Sequence, residues 1–161
     1  MFGLVEGENN AIAPGKRPLS SMTPTILTHN GKLAMVVGTP GGSHIPTGVL
    51  QVIRNVVDYN MNLAEAVDAP RIHAQWLPDE AYYEDFALSP DTLALLTAKG
   101  HKMVPMTYQN QIAAILLVDP PAGSVTRDAA PIGAPAAAYF TQRRLHGVID
   151  PRLPTGLAVG Y

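Results

Sequence analysis

The run Thr25-Ile26-Leu27-Thr28-His29-Asn30-Gly31-Lys32-Leu33-Ala34-Met35-Val36-Val37-Gly38-Thr39-Pro40-Gly41-Gly42-Ser43 reads as strand, turn, strand and glycine-rich loop. Residues 25–28 are β-branched or apolar, which suits a pleated, half-buried surface. Asn30-Gly31 is the pair best fitted to a type I′ turn, because both central residues of that turn need positive φ. Residues 33–37 then read as a largely buried strand, paired antiparallel with the first. Ser43 reads as the cap of a helix that runs to about Tyr59, with Pro46 near its start, where a missing N–H costs little. Val49, Leu50, Val52, Ile53, Val56 and Val57 fall at helical spacing and predict a wide apolar stripe.

Outward from this unit the chain alternates between short helices and strands. Residues 1–18 show no sustained period and end in Lys16-Arg17, so they read as an irregular arm and the start as a cut point inside a longer chain. Asn62-Leu63-Ala64-Glu65 has the form of a capping box that opens a short helix ending before Pro70. Ser89-Pro90-Asp91 opens a third helix, with Leu93, Leu95 and Leu96 expected inward and Gly100 as its stop. Residues 112–118 form another apolar strand. From 119 to about 142 the composition shifts to Pro, Ala and Gly, which predicts a flexible surface insertion. Residues 145–148 return as a short edge strand. The expected class is α+β, in one incomplete domain over 1–161.

Composition excludes several functions. With 47% hydrophobic and 15% charged residues in 161, the chain is apolar enough to build a core. Its net charge of -2 offers no basic excess for nucleic acid. Cys is 0, which removes disulfides, thiolate metal sites and cysteine nucleophiles together. No stretch reaches the roughly 18 apolar residues of a membrane span, and Met1-Phe2-Gly3-Leu4-Val5 lacks the basic start and long apolar core of a signal peptide.

Three groups of residues carry possible chemistry. In Thr39-Pro40-Gly41-Gly42-Ser43, two glycines before a helix let backbone N–H groups approach a phosphate, a carboxylate or a developing oxyanion. The Gly-Lys-Ser/Thr ending of a phosphate-binding Walker loop is absent, and a plain tight turn is the alternative. Ser20-Ser21 offers two adjacent hydroxyls to a carboxylate, or forms an ordinary turn. No Gly-x-Ser-x-Gly elbow surrounds Ser21. His29, His44, His73, His101 and His146 contain no i, i+4 pair, so they read as scattered surface or core residues and not as a metal site. In the polar run 68–80, Asp79 and Glu80 are neighbours that point apart. Arg71, Gln75 and that acidic pair are expected to fix an irregular segment by hydrogen bonds. No cofactor is read from the chain.

Taken together the segments resemble the C-terminal part of the small subunit of γ-glutamyltranspeptidases (glutathione hydrolases). The resemblance rests on Pro18-Leu19-Ser20-Ser21-Met22-Thr23-Pro24-Thr25, Gly38-Thr39-Pro40-Gly41-Gly42-Ser43, Asn62-Leu63-Ala64-Glu65-Ala66, Ala69-Pro70-Arg71, Gln75-Trp76-Leu77-Pro78-Asp79-Glu80 and Leu88-Ser89-Pro90-Asp91, in that order and spacing. It implies part of an N-terminal nucleophile hydrolase fold, an αββα sandwich whose antiparallel sheet packs with helices. It implies a precursor that cuts itself to expose a catalytic Thr, which attacks γ-glutamyl amides such as glutathione and passes the acyl group to water or to an amino acid. Ser20 and Ser21 resemble the pair that holds the γ-glutamyl α-carboxylate, and Gly41 and Gly42 resemble the backbone oxyanion hole. The expected partners are the upstream small-subunit segment that carries the Thr and the large subunit. The expected location is periplasmic or extracellular, and the chain alone is expected to be inactive. A non-catalytic remnant or interaction module, or a related acylase, is the alternative. Where the family often has Arg after Gly-Gly-Ser this chain has His44, and where it often has His-His before Gln-Trp this chain has His73-Ala74.

Overall fold

The computed structural model describes residues 7–107, 110–118 and 144–152. The expected hairpin is present. Strand β1 (Thr25–His29) pairs antiparallel with β2 (Lys32–Gly38). The two turn residues both take positive φ, 51° at Asn30 and 74° at Gly31. A register shift between Leu27 and Thr28 sets Leu27 against Met35 and Thr28 against Leu33.

Strand β6 (Ala113–Val118) lies on the other side of β2, and β7 (Arg144–Ile149) lies beyond it, so one antiparallel sheet runs in the order β1-β2-β6-β7. This bears out the expected edge strand at 145–148. Side chains alternate across a strand. Met35 and Val37 of β2 and Ala114 of β6 therefore point to one buried face. That face is covered by helix α1 (Ile45–Val57) through Ile45, Val49 and Val52, and by helix α2 (Leu63–Asp68) through Leu63, Ala66 and Val67. On the opposite face Ile26 and Ile115 remain largely exposed.

A second, three-stranded sheet joins β3 (Ile72–Ala74), β4 (Ala81–Tyr83) and β5 (Met103–Pro105) in that order. Its first pair is antiparallel and its second parallel, since helix α3 (Pro90–Ala98) returns the chain between β4 and β5. The insertion expected at 119–142 lies outside the described residues. Among the described residues no helix is long and apolar enough to cross a membrane.

Local signals succeed where the chemistry is close in sequence. Asn62 accepts from the Glu65 N–H at 3.0 Å while Glu65 accepts from the Asn62 N–H at 3.1 Å, a complete capping box. Gly100 closes α3 with φ 93°. Three expectations need correction. Ser43 does not cap α1, because a 3-10 turn over Gly42–His44 intervenes and His44 takes the cap position. Leu50 and Val57 of the predicted stripe are exposed, and so is Leu95 of α3, so the helices bury narrower faces than their spacing suggests. The Arg71 guanidinium, expected to hold the irregular segment with Asp79 and Glu80, turns into the core and bonds Asn110 and Asp150.

Candidate functional site

Strand β2 ends at Gly38, and four residues later, at Gly42, the chain enters the 3-10 turn that leads into α1. This places Gly41 and Gly42 at the mouth of a helix of 13 residues, where backbone N–H groups and the helix dipole both favour negative charge. Gly41 has φ 144° and Gly42 φ 60°, conformations that side chains rarely adopt. The turn is closed by the His44 N–H, which donates to the Gly41 carbonyl at 3.1 Å. Among the described residues the Gly41 and Gly42 N–H groups donate to no acceptor. Thr39 anchors the entry to the loop: its Oγ1 accepts from the Gln111 N–H at 3.0 Å and lies 2.8 Å from the Gln111 carbonyl, just ahead of β6.

The serine pair comes to the same place. Ser21 Oγ donates to the Gly42 carbonyl at 2.6 Å, so two motifs separated by 21 residues meet. Ser20 is exposed, and its Oγ accepts from the Met22 N–H at 3.1 Å, a bond that uses a lone pair and not its proton. The four residues singled out in the sequence thus form one cluster beside the N-terminus of α1.

Behind the turn lie two of the five histidines. His44 and His73 stack with ring centroids 3.9 Å apart and planes inclined by 20°. The Tyr82 ring lies beside the pair, 6.1 Å from His44 and 6.3 Å from His73. His73 is held at both ring nitrogens, 2.8 Å from Thr47 Oγ1 and 2.9 Å from Gln75 Oε1. His44 Nδ1 is buried without a hydrogen-bond partner among the described residues. Burial, and then the neighbouring His73, lower the His44 pKa below its ordinary 6.5. Spacing in the sequence gave no sign of this pair, because the contact is made by β3 folding against α1. Among the described residues no group of three or more His, Asp or Glu could hold a metal ion.

The turn is also braced from below. Asn110, buried, donates from Nδ2 to the His44 carbonyl at 3.0 Å and accepts from Arg71 Nη1 at 3.1 Å on its Oδ1. Arg71 is 1% exposed and pairs with Asp150, also 1% exposed, at 2.8 Å. It also donates to the Val67 carbonyl. Arg152 closes the network on Asp150 at 2.9 Å and on Glu84 at 2.8 Å. Burial pushes the Asp150 carboxyl up, but hydrogen bonds from Arg152 and the Ile112 N–H and the charge of Arg71 outweigh it, leaving the carboxyl below the usual range. A buried charge of this kind persists only when paired and hydrogen-bonded. Glu80 turns outward to Lys102 at 2.5 Å and to the Tyr82 hydroxyl at 2.6 Å, while Gln75 binds the Leu77 carbonyl at 2.7 Å.

Comparison with known proteins bears on the same segments. A family model described as gamma-glutamyltranspeptidase matches residues 1–138. The glutathione hydrolase proenzyme of Pseudomonas sp. (strain A14) is 52% identical over 161 residues, covering all of this chain and 26% of the relative. That of Escherichia coli (strain K12) is 44% identical, covering all of this chain and 24% of the relative. The chain therefore spans about a quarter of the length of these curated relatives. Among solved structures, the T380A mutant of Helicobacter pylori gamma-glutamyltranspeptidase matches with a TM-score of 0.77 and 45% identity, over 95% of this chain and 72% of that one. Gamma-glutamyltranspeptidase from Pseudomonas nitroreducens complexed with L-DON matches with a TM-score of 0.71 and 37% identity, over 98% of this chain and 72% of that one.

Proposed function

The chain belongs to the γ-glutamyltranspeptidase family and shares its N-terminal nucleophile hydrolase fold, and from that premise we propose that it supplies the carboxylate-binding and oxyanion half of an active site that cleaves γ-glutamyl amides. The observation that carries this reading is the meeting of Ser20-Ser21 with Gly41-Gly42 at the head of α1.

In this reading the nucleophile is a Thr at the head of an upstream small-subunit segment. Its Oγ attacks the γ-carbonyl carbon of a substrate such as glutathione, and its own α-amino group takes up the hydroxyl proton. The carbonyl oxygen becomes an oxyanion, and the Gly41 and Gly42 N–H groups receive it. Preorganised donors at such an oxygen contribute about 3–4 kcal/mol each to barrier lowering. The C–N bond then breaks, the amine leaves with the proton, and a γ-glutamyl ester remains on the Thr. Water or the amine of an amino acid attacks that ester and restores the Thr. The Ser20 hydroxyl, whose proton is not used by Met22, donates to the substrate α-carboxylate, and Ser21 keeps the glycine turn in place. Thr23, Thr25 and Thr39 do not serve as nucleophiles of this type, since each is flanked by peptide bonds and lacks a free α-amine. The chain works with the upstream segment and with a large subunit. Large exposed apolar side chains such as Ile26, Leu50, Trp76 and Phe86 support contact with further protein. In this reading the assembled enzyme works in the periplasm or outside the cell, which the family resemblance supports.

The test uses a reconstituted assembly: this chain joined to the Thr-led segment and the large subunit of a close relative. Two anilides are compared, γ-glutamyl and its analogue without the α-carboxylate. The wild-type assembly favours the γ-glutamyl anilide, and Ser20→Ala erases most of that preference. Equal preference in Ser20→Ala and wild type contradicts the assigned carboxylate role.

A further inference from the structure

The histidine stack has no part in the chemistry above, yet its hydrogen bonds lead back to the glycine turn. Gln75 Nε2 donates to the Leu77 carbonyl at 2.7 Å, so Oε1 is the atom that faces His73 Nε2 at 2.9 Å. An amide oxygen only accepts, so His73 Nε2 carries a hydrogen. At the other side of the ring, Nδ1 lies 2.8 Å from Thr47 Oγ1, and that hydroxyl lies 3.1 Å from the His44 carbonyl. One hydroxyl has one hydrogen to give. With His73 neutral, Nδ1 is bare and draws the Thr47 hydrogen to itself. With His73 charged, Nδ1–H donates to Thr47, and the Thr47 hydrogen goes to the His44 carbonyl.

The His44 carbonyl thus has two side-chain donors in one state, Thr47 and Asn110, and one, Asn110, in the other. His44 is also the residue whose N–H closes the turn on the Gly41 carbonyl. Resting on the reading in the preceding section, we propose that His73 is a positioning residue for the Gly41–Gly42 turn, acting through the Thr47 hydroxyl on the His44 carbonyl, so that the proton on His73 tightens the turn that offers the oxyanion donors. Both nitrogens of His73 face atoms able to accept a hydrogen bond, whereas His44 Nδ1 is buried with no such atom among the described residues.

Among the described residues the charged and titratable groups around His73 are few. His44 stacks on it from the turn, and Tyr82 faces it from β4 with its hydroxyl held by Glu80. Glu80 is itself paired with Lys102. Arg54 of α1 and His101 share with His73 the wall of a mostly apolar cavity of about 380 Å³. The Arg54 guanidinium is engaged by Asp58 at 2.7 Å.

The experiment places this chain, labelled with ¹⁵N at His and Gly, in the reconstituted assembly and follows both signals across pH. The Gly42 amide resonance is expected to move with the titration of the His73 ring in the wild type and in Thr47→Ser. It is expected to stop following in Thr47→Val and in His73→Phe, which keeps a stacked ring without the proton. Turnover adds a second readout: Thr47→Val lowers kcat roughly tenfold, about 1.4 kcal/mol in barrier, with KM changed less than about twofold, and Thr47→Ser restores it. A Gly42 signal indifferent to His73 in the wild type, or unchanged coupling in Thr47→Val, overturns the proposal. An assembly without turnover contradicts the functional reading instead, while the amide coupling still decides the role of His73.

Discussion

Ser21 Oγ donates to the Gly42 carbonyl at 2.6 Å, and this bond is the physical link between the serine pair and the glycine turn. It fixes the Gly42–Ser43 peptide plane, and so the direction of the neighbouring N–H groups. Ser21→Ala removes the link while leaving Ser20 in place. The expected loss is about 1–3 kcal/mol, roughly 5- to 150-fold in kcat/KM for a γ-glutamyl anilide, the cost of a hydrogen bond near a charged group. Steady-state kinetics on the reconstituted assembly measure it. Wild-type kcat/KM in Ser21→Ala would remove the tether from the account.

Gly48 sets the depth at which α1 approaches the loop that carries Asn110. A Cβ built there meets Asn110 Nδ2 at 1.7 Å and Cγ at 2.6 Å. Asn110 has no room to yield, since it is buried and is bonded both to the His44 carbonyl and to Arg71. Alanine favours a helix interior over glycine by about 1 kcal/mol. Overpacking costs about 1–3 kcal/mol and a broken buried hydrogen bond about 1–3 more, so the clash wins. Gly48→Ala is expected to destabilise the assembly by about 1–5 kcal/mol in denaturant unfolding. An unchanged or raised midpoint would mean that Asn110 moves freely.

His44 gives stability a defined dependence on pH. Burial and the neighbouring His73 lower its pKa from 6.5 in the folded protein. As pH falls below about 6.5, an unfolded His44 takes up a proton that the folded one resists, so this contribution is fully present above 6.5 and is lost toward the lower folded value. His44→Phe keeps a flat ring against His73 and abolishes the titration. The melting temperature of the variant relative to wild type should therefore rise as pH drops from 7.5 to 5. A difference that is flat with pH, or that falls, contradicts a neutral buried His44.

The hairpin, the capping box and the glycine stop of α3 were legible because each depends on residues within a few positions of one another. Asn30 and Gly31 needed only positive φ, and Asn62 and Glu65 needed only each other. The site was legible in its parts through motif strings, but nothing local showed that Ser21 reaches Gly42. Contacts across long separations were hidden. His44 meets His73 only because β3 lies beside α1, and Arg71 meets Asp150 across 79 residues. Arg71 also shows how a polar neighbourhood misleads: it sits near Asp79 and Glu80 in sequence, yet the buried carboxylate at the end of β7 offers it a drier and fully bonded partner. The exposed Leu95 shows the reverse, an apolar spacing whose partner surface is not within the described residues.

The central claim is that this chain completes an active site and does not contain its nucleophile, and release of a chromogenic amine from a γ-glutamyl anilide tests it directly. The purified 161-residue chain is expected to release none. The Thr-led segment and large subunit without this chain are also expected to release none, and the two together to turn over. Robust turnover by the 161-residue chain alone would contradict the claim and make Ser20 or Ser21 the first suspect as nucleophile. A silent assembly in which the parts bind would contradict it from the other side, leaving a fold that kept the turn and the serines but not the reaction.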